Sequence, residues 1–227
     1  MIDFFATLLE NAPDWLSRLW PALIMTLTVT AVSFVAASVL AIGLEIARQS
    51  RFKGVRAATR GFIDVVRCLP ILTILYLLYF GLPGVGLTLS SFVAGTTGLA
   101  LVYSTYIAEV LRGGVTAIHR GQREAAIAAG LTPLMTLRYI VLPQALRLMV
   151  APLLVTFISL LKDSSICALI AVNELMLTSK VIMSETFMPL HVFVLVGAIY
   201  FAVAWPMSLL ARWIEHHLAR QASRVTA

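Results

Sequence analysis

Few residues in this chain could do chemistry, and most of them stand close together. Lys162-Asp163 is followed at once by Ser164-Ser165, and Glu174 comes eleven residues after Asp163. An ammonium, a carboxylate and two hydroxyls in a row can hold a zwitterion. Asp163 with Glu174 could instead work as acid and base, but no nucleophile or metal ligand stands near them. Elsewhere the spans hold no Ser/His/Asp set, paired catalytic carboxylates or metal-ligand spacing, so neither a catalytic residue nor a metal ligand is assigned. His216-His217 reads as part of a solvated tail. Gly81 and Gly86 have the gap of a phosphate loop, but Leu87 stands where lysine is required, so ATP is not bound through that motif. Two acid–base pairs at i,i+3 spacing, Asp64 with Arg67 and Glu109 with Arg112, are of the kind that stabilises helix ends. Arg67 can either snorkel to the inner surface or line a pathway.

The elements that carry these residues are set by hydropathy. Of 227 residues, 60% are hydrophobic and 12% charged, with mean hydropathy +0.93. An ordinary globular domain is about 25% charged, so the chain is an all-α integral membrane protein with little soluble mass. The net charge of +6 comes from bases in short loops rather than from a stripe, which fits membrane topology and excludes a nucleic-acid surface. Cys68 and Cys167 lie inside apolar stretches without paired spacing and read as small apolar fillers. The early acids Asp3, Glu10 and Asp14, with a long first apolar run, argue against a cleaved signal peptide.

Charge-free runs give five spans, at about 20–46, 63–80, 89–110, 141–161 and 187–211. Residues 1–18 are weakly amphipathic and are expected along the membrane surface, anchored by Trp15 and Trp20. Residues 68–108 carry no charge and are too long for one helix, so the glycine-rich turn at 81–86 divides them. Arg48, Arg51, Lys53, Arg56 and Arg60, and later Arg112, Arg120, Arg123, Arg138 and Arg147, put both loops on the cytoplasmic side. The N-terminus is then periplasmic and the C-terminus cytoplasmic, with Arg212, Arg220 and Arg224 inside.

Two segments do not fit simple spans. Residues 164–173 are apolar but too short to cross, which suggests a re-entrant or half-buried helix. Lys162 and Asp163 would sit at its edge, either as a solvated pair or as intramembrane charges, which cost about 2.5 to 3.5 kcal/mol and tend to be functional. The other segment, residues 112–140, is a polar island. Its sequence reads helix, turn, helix: Glu124-Ala125-Ala126 favours helix, Gly130 suits a left-handed end, and Thr132-Pro133 caps the next helix.

The island resembles the signature loop of binding-protein-dependent ABC importer permeases, through Glu124-Ala125-Ala126, Gly130, Ile140, Leu142 and Pro143. Permeases for polar amino acids are similar over most of the chain. The matching elements include Phe80-Gly81-Leu82-Pro83, Thr105-Tyr106-Ile107-Ala108-Glu109, Arg112-Gly113-Gly114, Lys162-Asp163-Ser164-Ser165-Ile166 and Asn173-Glu174-Leu175. The resemblance implies a type I importer permease fold, with ATPase coupling through Gln122, Glu124, Ala125, Ala126 and Gly130. It implies a substrate pathway near Arg67, Tyr106, Lys162, Asp163, Ser164, Ser165 and Glu174. It also implies partners: a cytoplasmic ABC ATPase dimer that holds ATP and magnesium, a second permease subunit (identical or homologous) and a periplasmic amino-acid-binding protein, all around a chain solvated by lipid. No cofactor is expected in this chain. Arg67-Cys68-Leu69-Pro70 departs from the usual Arg-Gly-Thr-Pro, and Val155 replaces a usual asparagine. These departures leave a second reading open, import of another small solute such as an opine or an inorganic anion. A secondary transporter working alone is a further rival.

Overall fold

The computed structural model describes the backbone of residues 2–225 and the side chains of residues 4–218, so Arg220 and Arg224 lie outside the described side chains. The chain begins with α1 (Ile2–Arg48), 47 residues and about 70 Å of helix at 1.5 Å per residue. The segment expected along the membrane surface is instead the first part of this helix. The reason is tertiary: Trp15, Leu19 and Ala22 are buried against Leu175, Ile182, Val192 and Val196, so the apolar stripe continues toward the N-terminus. Farther along, Thr26, Val29, Thr30, Ser33, Ala37 and Ala41 keep that stripe buried at helical spacing. Thr26 and Thr30 donate their hydroxyls to the carbonyls four residues back, so these two polar groups on the stripe are satisfied within the helix, whereas the buried Ser33 hydroxyl has no partner.

The second expected span, about 63–80, falls across a sharp break in the helix. Helices α2 (Lys53–Cys68) and α3 (Ile71–Tyr76) meet at a bend of 103°, and α3 runs on through π and 3₁₀ turns to Val85. Pro70 causes the break, because it has no N–H to give and forces the residue before it out of the helical region. Leu69 accordingly sits at φ −88°, ψ 136°. Cys68 is therefore exposed at the elbow instead of filling an apolar gap, whereas Cys167 is buried.

Helix α4 (Ser91–Thr116) is the packed centre, 67% buried over its most apolar window. Small residues let its neighbours approach: a Cβ on Gly98 would lie 2.6 Å from Leu75 Cδ2, and one on Gly95 3.2 Å from Cys167 Sγ. After it come α5 (Arg120–Ala128), the single turn α6 (Pro133–Met135), a π segment and α7 (Leu142–Asp163). The residues after Asp163 form no separate re-entrant helix. Ser164–Ile170 tightens into a 3₁₀ turn that extends α7 and buries Ser164, Cys167, Ala168 and Ile170. Ala171 takes a left-handed φ of 59°, and the chain reverses into α8 (Leu175–Thr186) and then α9 (Pro189–Val225). Among the described residues, four helical stretches are long and apolar enough to cross a membrane, and the bent α2–α3 pair makes up to five.

Candidate functional site

A cavity of about 280 Å³ opens between α3, α4 and α7, lined by Ile71, Tyr103, Tyr106, Val155, Thr156, Ser159 and Asp163. Helical spacing puts the polar residues there. Tyr103 and Tyr106 are one turn apart on α4, and Thr156, Ser159 and Asp163 follow at i, i+3, i+7 on α7. Tyr103 donates its hydroxyl to Asp163 Oδ2 at 2.6 Å, which fixes the carboxylate across the cavity. The two tyrosine rings lie 5.8 Å apart, and the Arg67 guanidinium stands 5.3 Å from the centroid of Tyr106. The site thus offers one carboxylate, several hydroxyls, aromatic faces and an apolar wall.

Of the pathway residues expected from sequence, Asp163 and Tyr106 line this cavity and Arg67 reaches it through Tyr106. Lys162 is exposed, and among the described residues no ion pair joins it to Asp163. Ser164 and Ser165 donate to the carbonyls of Leu161 and Lys162, at 2.8 and 2.7 Å. Glu174 is fully buried away from the cavity. It caps α8, accepting from Met176 N at 3.0 Å and Leu177 N at 2.9 Å, and takes the Tyr200 hydroxyl at 3.2 Å. Thr26 of α1 accepts from the first amide, Leu175 N, at 3.1 Å, so the start of α8 is held by α1 and, through Tyr200, by α9. At the other end of α8, hydrogen bonding from Arg18 holds the exposed Glu185 carboxyl below its ordinary range. Tyr103, Thr156 and Ser159 were missed by the sequence reading. The signal was present, since each lies at helical spacing from Tyr106 or Asp163.

The polar island forms a second constellation. His119 caps α5 by accepting from Gly121 N, and Arg123 Nη2 donates to Val115 O at 2.6 Å, which straps α5 to the end of α4. Gly130 has φ 82°, and bonds from Leu131 N to Ala126 O and from Gly130 N to Ile127 O close the helix in a Schellman motif. Thr132 caps the following turn through Met135 N. Gln122, Glu124 and Ala125 are exposed, Ala126 is buried, and Glu124 pairs with Arg120 at 2.9 Å. Exposed Ile127, Leu134, Met135 and Tyr139 surround them, so α5 and its turn present an apolar surface with a small-residue face.

Nearby, Glu109 takes Arg48 of α1 and Arg112 of its own helix, both at 2.7 Å. The i,i+3 pair expected from sequence is thus part of a tie between α1 and α4 that also takes in Arg48 and, 3.7 Å from it, Glu45. Arg48 is the member that the spacing did not reveal.

Residues 37–224 match the family described as binding-protein-dependent transport system inner membrane component. The chain is 35% identical over 207 residues to the probable glutamine ABC transporter permease protein GlnP of Bacillus subtilis (strain 168), covering 89% of this chain and 94% of that protein. It is 34% identical over 216 residues to the glutamine transport system permease protein GlnP of Escherichia coli (strain K12), covering 90% and 97%. Among solved structures, a chain of an amino acid ABC transporter determined with histidines superposes with TM-score 0.86 at 31% identity, over 94% of this chain and 98% of that one.

Proposed function

The chain belongs to the family of binding-protein-dependent transport system inner membrane components, and on that premise we propose that it is the permease subunit of an ATP-driven importer for a polar amino acid. Membership makes it a multi-pass protein of the inner membrane. The cargo reading rests on one observation above all, the Asp163 carboxylate presented to the cavity by Tyr103. An amino acid brings an ammonium that pairs with this carboxylate and polar atoms that suit Thr156 and Ser159. An inorganic anion would meet repulsion there. The two relatives named as glutamine permeases, one of them probable, and the superposed amino acid transporter, determined with histidines, support the same cargo class.

In this reading Gln122, Glu124, Ala125, Ala126 and Gly130 couple the chain to a separate cytoplasmic ATPase dimer, which binds ATP and magnesium. The exposed apolar rim around α5 gives that partner area to bury, and the Arg123 strap passes its motion to α4. A second permease subunit faces this one, because five spans do not enclose a polar route. A periplasmic binding protein delivers the cargo. The basic loops at 48–60 and 112–147 lie on the cytoplasmic side, with the N-terminus periplasmic and the C-terminus cytoplasmic.

Uptake by the complete transporter in proteoliposomes tests this. ATP-dependent and binding-protein-dependent accumulation of labelled glutamine, glutamate or histidine is expected. Accumulation of an opine or an inorganic anion with no amino-acid uptake would overturn the cargo, and uptake without the ATPase would overturn the class.

A further inference from the structure

A second cavity, about 310 Å³, lies further along α4, where α1 and α2 meet it, lined by Arg48, Arg60, Asp64, Glu109 and Arg112. On α4 the residues Tyr103, Tyr106, Glu109 and Arg112 succeed one another at every third position, and on α2 Arg67, Asp64 and Arg60 run alongside them. The Arg67–Tyr106 contact joins a residue of the first cavity to α2, the helix that carries Asp64 and Arg60 of the second.

Which charges in the second cavity are already used is decisive. Glu109 is saturated: Arg48 Nη2 reaches one of its oxygens at 2.7 Å, and Arg112 reaches the other through Nε at 2.9 Å and Nη2 at 2.7 Å. Arg48 Nη1 also lies 3.7 Å from Glu45 Oε2, but Arg48 Nε is buried with no hydrogen-bond partner. Arg60 and Asp64 sit one turn apart on α2, and among the described residues neither forms an ion pair with the other or with anything else. What remains open is a guanidinium, a buried Nε donor and a carboxylate, the complement of a small molecule with one anionic and one cationic end. Arginine suits the anionic end because its planar donors match a carboxylate.

We propose that this cavity is a second subsite for the transported amino acid, with its carboxylate on Arg60 and the free Nε of Arg48 and its ammonium on Asp64. The inference rests on the amino-acid reading given above. Cargo leaving Asp163 passes the Arg67–Tyr106 pair and is held again at the basic end before release. An ethanolamine phospholipid headgroup has the same pair of charges and is the competing occupant.

The test is equilibrium binding of labelled glutamine and of labelled histidine to the complete transporter in nanodiscs, made with and without ethanolamine phospholipid. An Asp163→Asn background weakens the first cavity. Residual binding in both lipid mixtures is expected, with Kd raised at least tenfold by Arg60→Ala and by Asp64→Ala and largely kept by Arg60→Lys. Uptake of the same labels by proteoliposomes that carry the wild-type transporter is followed in parallel. Normal uptake with residual binding that is absent, or unchanged by Arg60→Ala and Asp64→Ala, overturns the subsite alone. Binding found only without ethanolamine lipid, together with less co-purified ethanolamine lipid in Arg60→Ala, assigns the cavity to a headgroup and also overturns it. A wild-type transporter that takes up no polar amino acid overturns the cargo reading, and the subsite with it.

Discussion

The hydroxyl of Tyr103 donates to Asp163 Oδ2 at 2.6 Å, tying the most buried helix to the last turn of the fourth span. Glu174, eleven residues further on, makes no such link to the cavity and holds the N-terminus of α8 instead. The two acids that look alike in the sequence therefore have different duties, and substitutions should separate them.

Removing the charge at Asp163 should damage transport rather than folding. A hydrogen bond to a charged group contributes about 1.5 to 3 kcal/mol, so Asp163→Asn should raise the KM for uptake about ten- to hundredfold. Tyr103→Phe leaves the acid but frees its orientation, with a smaller loss of about two- to tenfold. Assembly and basal ATPase activity should stay near wild type in both. Equal losses of assembly and transport in Asp163→Asn would make the residue structural.

Glu174→Ala should do the reverse. It strips acceptors from two amides and from the Tyr200 hydroxyl, at about 1 to 3 kcal/mol. Thermal unfolding of the purified complex should start at a lower temperature, while the KM of the protein that survives stays within twofold. Wild-type thermal stability with an altered KM would show that Glu174 belongs to the pathway.

Gly130 lies at φ 82°, where a β-branched residue is strained by about 1 to 2 kcal/mol. Gly130→Val should still insert in the membrane but lose co-purification with the ATPase, and Gly130→Asn, which tolerates the left-handed region, should restore much of it. Arg123→Ala should keep ATPase binding but lower transport per ATP hydrolysed, because the strap to Val115 is cut. Full coupling in both Gly130→Val and Arg123→Ala would remove α5 from the mechanism.

Orientation can be read by thiol labelling. Cys68 is exposed, so Cys68→Ser is the starting background. In that background Gly84→Cys should react with an impermeant reagent added from outside, and Lys53→Cys should react only after permeabilisation. The opposite pattern would invert the topology.

The sequence by itself determined the helical membrane-protein class and the local shape of the polar island. These depend on short-range causes: a run of apolar residues must leave water, Gly130 accepts a left-handed φ, and Thr132 before Pro133 caps a helix. The 103° bend was latent in Pro70 but hidden by hydropathy, which is blind to direction. Tertiary structure decided the rest. It extended α1 through residues 2–18, because Trp15 and Leu19 find partners on α8 and α9 that lie more than 150 residues away. It sent Asp163 to a tyrosine sixty residues earlier and buried Glu174 under the first turn of α8. Neighbouring positions in a chain share hydropathy, but a carboxylate's partner is whichever donor packing brings within 3 Å. Only the assembled bundle fixes that choice.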